Sequence, residues 1–166
     1  MAIDCHRVVA FWVGPERRGA TSRSPNSEWF MVFDEALHSG AGTHIRDRRA
    51  ALASQVTELQ YQRVPGLRGS FGSVGHEKAL RDADYSLQFL SEAVASGDQD
   101  SFAGYLVWLD RVLAGAGLEQ SVLDVHLECM VDVLATELSR DSGDLAVGYV
   151  RAGQARLASS RQAADR

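Results

Sequence analysis

After residue 26 the apolar residues of this chain recur at three- and four-residue spacing, and no stretch alternates with period two. That pattern allows helices and leaves nothing from which to build a sheet. Leu80, Ala83, Leu87, Leu90 and Val94 form one stripe along a single predicted helix. Further on, Leu123, Leu127, Met130, Leu134 and Leu138 run beside Val122, Val125, Cys129 and Val133, leaving Asp124, Glu128 and Asp132 as the wet face. A helix apolar over so wide an arc belongs at the centre of a bundle. The expected fold class is all-α.

Glycine, proline and capping residues divide this pattern into about six predicted helices. They cover about 28–38, with Ser27 as cap, and about 43–62, after a break at Ser39-Gly40. The second stops before Pro65, which disfavours helix in the residue ahead of it, and the glycine-rich stretch from Gly66 to Gly75 is expected to form a loop. The third helix spans about 75–95 and ends at Ser96-Gly97. A fourth begins near Asp98 or Asp100 and ends at Gly115-Ala116-Gly117. The fifth and sixth cover about 118–139 and 142–160. Residues 1–26 carry Gly14, Pro15, Gly19 and Pro25 and lack the helical period. They read as a flexible extension ahead of one helical domain, 27–166.

A chain of 166 residues is long enough to bury a core. Its formal net charge of −5 does not suit a general nucleic-acid binder. No apolar run approaches the ~20 residues that cross a bilayer. Cys5 and Cys129 stand apart with no metal-ligand spacing, as expected of reduced thiols in a cytoplasmic protein.

The third predicted helix has a second face. Asp82, Tyr85 and Phe89 follow one another about a turn apart on the side away from the core stripe. Two aromatics aligned with an acid on open solvent would be unusual, so a helix, a partner or a flat ligand is expected to cover them. His126 falls inside the apolar arc of the fifth helix. It reads either as a core histidine or as one lining a pocket.

The stretch Lys78-Ala79-Leu80-Arg81-Asp82-Ala83-Asp84-Tyr85 resembles the chromophore helix of the phycobiliproteins, where a cysteine, one variable residue and Arg-Asp hold a linear tetrapyrrole. The likeness continues through the Ser-Gly-Asp turn, a short helix, Gly115-Ala116-Gly117-Leu118 and the long apolar helix, so that Ser73 to Leu138 looks like the second half of a phycobiliprotein-type globin. The same region resembles the bilin-biosynthesis-associated globins of bacteria and the helical modules of cobalamin-dependent photoreceptors. The resemblance implies that Asp82 accepts hydrogen bonds from pyrrole N–H groups. It implies that Arg81 and Lys78 hold propionates and that Tyr85 flanks the rings. A bilin would lie along Asp82, Tyr85 and Phe89, with Trp108 and His126 on its far side.

Two departures shape the expectation. Ala79 stands where the family carries its cysteine, so a bilin would be bound without a covalent bond. Residues 1–26 do not look like the helices through which phycobiliproteins build antennae, so light harvesting is not expected. Haem is disfavoured because Leu106 to Leu113 offers no proximal histidine, and His38, His44 and His76 lie elsewhere. No nucleophile elbow, zinc-protease helix or phosphate loop marks an enzyme. Two functions are therefore expected: non-covalent bilin binding in sensing, carriage or bilin metabolism, or a ligand-free globin-like signalling module acting through a homodimer or partner contact.

Overall fold

The computed structural model describes the backbone of residues 25–164 and, within them, the side chains of 34–66 and 74–164. The expected extension lies outside this range except for its last two residues. Five helices fill the described residues: α1 (Pro25–Arg63), α2 (Gly66–Ser96), α3 (Gln99–Gly115), α4 (Gln120–Glu137) and α5 (Arg140–Ala164). There is no strand among them, and the chain is all-α as expected.

The count differs from six because the first two predicted helices are one. Ser27 and Ser39-Gly40 lie within α1. Gly42 explains why a glycine sits there without ending the helix. A Cβ on it would come within 2.6 Å of both the Ala95 Cβ and the Ser91 carbonyl oxygen. The missing side chain lets α1 and α2 cross at van der Waals distance, and the packing gained outweighs a helix-propensity cost of about 1 kcal/mol. The expected loop from Gly66 to Gly75 is likewise helical, forming the first turns of α2. Only Val64 and Pro65 separate the two helices. Pro65 enters α2 with helical angles, φ −56° and ψ −28°. Beyond the glycines, the His76 ring meets Tyr61 edge-on at 5.1 Å and its Nε2 pairs with Glu58 at 2.9 Å, tying α2 back onto α1.

The other boundaries follow the sequence. Gly97 ends α2 in the left-handed conformation, φ 68°, and the Asp98 N–H donates to the Ala93 carbonyl at 3.0 Å. That closes the helix end in the manner glycine favours. Asp98 then caps α3, its carboxylate accepting from the Ser101 N–H at 3.1 Å.

Successive helices run antiparallel. Arg49 of α1 pairs with Asp84 of α2 at 2.8 Å. On the seam between α1 and α4, Arg48 pairs with Glu137 and Arg63 with Asp132. Leu106 and Phe102 of α3 pack on Gly153 of α5, and further along Arg161 grips Asp110, so α3 and α5 are parallel. The core between these helices takes Ile45, Leu52 and Val56 from α1, Leu87, Leu90 and Val94 from α2, and Phe102 and Leu106 from α3. To these α4 adds Leu123, Leu127, Met130 and Leu134, and α5 adds Val150 and Leu157. The predicted stripes on α2 and α4 supply most of their helices' share. On α2, Ser86 and Ser91 are also buried.

Candidate functional site

The second face of α2 is partly covered, and α3 is what covers it. The Phe89 ring stacks on Tyr105 with centroids 4.2 Å apart and planes 14° from parallel. Tyr105 in turn meets Phe102 and Trp108, each at 6.0 Å. Its hydroxyl lies 3.2 Å from the Ser86 hydroxyl. Rings 4.2 Å apart are in contact, so no flat molecule lies between Phe89 and Tyr105.

Tyr105 was not singled out in the sequence, although a signal for it was present. Phe89 and Tyr105 each stand eight residues from Gly97. An antiparallel helical hairpin that turns at Gly97 sets such positions opposite each other.

The α2 and α3 helices share far less packing than α1 and α2. Along α2 the stripe continues through Tyr85 and Asp82, both half-buried, to Arg81 and Lys78, which are exposed. Along α3 it continues through Trp108, 38% exposed, to half-buried Val112, with exposed Arg111 beside them.

Asp82 is the electrostatically unusual group on this face of α2. Burial pushes its carboxyl above the usual aspartate range, while Lys78 and Arg81 pull it back. A raised folded value means that the ionised carboxylate costs stability. The contribution is favourable below the unfolded value of about 3.9 and is lost as pH rises through the folded value. Asp82→Asn is therefore expected to raise the urea midpoint at pH 7. The gain should close in acid below the unfolded value, and a lowered midpoint at pH 7 would show the carboxylate to be satisfied.

His126, expected on the far side of the same site, lies on another seam. The α2 and α4 helices share little or no packing, whereas α1 packs on both. The ring is 8% exposed and its Nδ1 lies 3.3 Å from the Gln60 Oε1 of α1. With the proton on Nδ1 the ring donates to that oxygen, and Nε2 is left buried without a partner. Desolvation lowers the His126 pKa to about 4, so the ring is neutral at pH 7. The arrangement thus brings Asp82, Tyr85, Phe89 and Trp108 to one side of the bundle, with Lys78 and Arg81 at its rim, and sets His126 with Gln60 elsewhere.

Among the described residues no group of His, Cys, Asp and Glu is arranged to hold a metal ion, and no helix is long and apolar enough to cross a membrane. No protein-family model matches the chain, and no curated protein matches it at a significant level.

Proposed function

We propose that the protein is a ligand-free helical module that acts through protein contacts made by the α2–α3 face. The observation that carries this reading is the Phe89–Tyr105 stack, in which α3 itself covers the aromatic end of the second face of α2. Beside it, Trp108 keeps 38% of its surface exposed, with Arg111 three residues on. Tryptophan, tyrosine and arginine are the residues that anchor protein interfaces. A phycobiliprotein-type globin arrangement is part of this proposal. In its support, α2, the turn at Gly97, α3, the turn at Gly117 and α4 follow in the order the resemblance implies. The cytoplasm is the proposed setting.

Bilin binding is the second reading, and Asp82 favours it. A half-buried carboxyl with two cations beside it, and no hydrogen bond to a described residue, suits a cationic pyrrole system. A bilin would then lie outside the stack, along Asp82 and Trp108, rather than between Phe89 and Tyr105.

Two measurements separate these readings. The first is a visible spectrum of the protein with biliverdin, where a red-shifted, intensified band lost in Asp82→Asn would favour the second. The other places the photo-crosslinker p-benzoylphenylalanine at position 108 and, as a control, at exposed Ala155, in cells that express the protein. Discrete cross-linked species at 108 and none at 155 are expected. Their absence at 108 would overturn the contact reading.

A further inference from the structure

We infer that Val64-Pro65 is a hinge through which two copies of this chain exchange α1, and that Pro65 holds the hinge closed. The seam between α1 and α2 is involved, not the α2–α3 face, so the contact reading above stands or falls separately. The turn between α1 and α2 is nearly all helix. The Val64 N–H donates to the Gln60 carbonyl at 2.9 Å, the bond it would make within a continuous helix. Pro65 has helical angles, φ −56° and ψ −28°, and Gly66 already belongs to α2. The helical path is broken at Val64 and little else. Turning the backbone there into the helical region would join α1 and α2 into one rod over 25–96.

Pro65 opposes that change in two ways. Its ring crowds the residue before it out of the helical region, and Val64, branched at Cβ, has a further bias toward extended backbone. In a continuous helix position 65 would also donate to the Tyr61 carbonyl. Proline has no N–H to give, and its ring collides with that oxygen.

A rod would strip from the chain its most extensive helix pairing, that of α1 with α2. Gly42 fits closely against Ala95 and Ser91, and Arg49 pairs with Asp84. The surfaces those residues need are present on any other copy in the same state. Two rods side by side restore them reciprocally, α1 of one copy lying on α2 of the other and Arg48 meeting Glu137 of the other copy. Exchange replaces each contact with an identical one, so the hinge and the concentration separate the two forms. A two-residue link lies at the short end of helix–helix connections and leaves the hinge little slack.

The test uses the full chain. Light scattering after gel filtration should find the parent monomeric when refolded from urea at about 10 µM, with a minor dimer when refolded at about 1 mM. Pro65→Ala should raise the dimer fraction about tenfold or more at equal concentration. Gly-Ser-Gly-Ser inserted after Val64 should abolish the dimer, because a slack link closes the hairpin within one copy. Ketone-linked nitroxides at the exposed positions Ala50 and Glu77 identify the form, with labelled chain diluted in unlabelled chain so that distances within one copy are read. The labels should stand about 20 Å apart or less in the hairpin and about 40 Å apart in the rod.

A Pro65→Ala chain that stays monomeric at about 1 mM, or a dimer whose labels keep the short distance, would overturn the proposal. So would an insertion variant that dimerises as readily as Pro65→Ala. If Pro65→Ala does not fold, the parent refolded at about 1 mM decides alone: a dimer with the long distance supports the hinge, and its absence overturns it.

Discussion

Urea unfolding at pH 5 is expected to find this protein about 2 kcal/mol less stable than at pH 7 because of the single ring of His126. The ring is buried on the α1–α4 seam with one hydrogen bond, to Gln60, and its Nε2 unpartnered. Its pKa falls to about 4 in the fold, against the ordinary 6.5. Above the unfolded value neither state holds the proton, and the contribution to stability is complete. As pH falls through 6.5 the unfolded chain takes up a proton that the folded chain refuses, and stability drops until the folded value is reached. The total loss over that window is roughly 3 kcal/mol.

The check is a comparison with His126→Gln, whose amide can keep the bond to Gln60 and does not titrate. Between pH 7 and pH 5 the variant should lose far less stability than the parent. Carboxylates held low by arginine, such as Glu128 beside Arg151, add their own losses at lower pH in both proteins alike. Parallel losses in parent and variant between pH 7 and pH 5 would mean that the ring is solvated after all.

Two glycines of α1, Gly40 and Gly42, should respond to alanine in opposite directions. A Cβ on Gly40 meets nothing within 4 Å. In mid-helix, alanine there should stabilise by about 0.5–1 kcal/mol through the backbone entropy it removes from the unfolded chain. The same change at Gly42 drives a methyl into the Ser91 carbonyl and the backbone of Ala95. Backbone cannot rotate aside as a side chain can, so α1 and α2 must move apart. The expected cost is about 2–3 kcal/mol despite the better propensity. Thermal melts of the two variants beside the parent would decide the matter. Stabilisation of both would show that the helices do not cross closely at Gly42.

The same pair of glycines shows where the sequence could be read and where it could not. Ser39-Gly40 reads as a helix end because glycine and serine favour ends. That preference is worth about 1 kcal/mol and yields to one close helix crossing. Nothing near Gly42 in sequence says that Ala95 will lie against it. The Gly66–Gly75 stretch is helical against the same local preference, whereas Gly97 ends its helix because its left-handed backbone is a local requirement.

The candidate site divides along the same line. The amino-acid sequence by itself determined that the protein is all-α, since a period of three to four residues is a property of each helix alone. It also determined that Leu80, Ala83, Leu87, Leu90 and Val94 face inward while Asp82, Tyr85 and Phe89 line another side, because residues one turn apart share a face whatever surrounds them. Which element covers that side was decided only in three dimensions. The hairpin at Gly97 sets Tyr105 on Phe89, and α1 lies against both α2 and α4 and gives His126 to Gln60. Those pairings depend on how whole helices pack, a balance of buried area and close approach summed over many residues far apart in the chain.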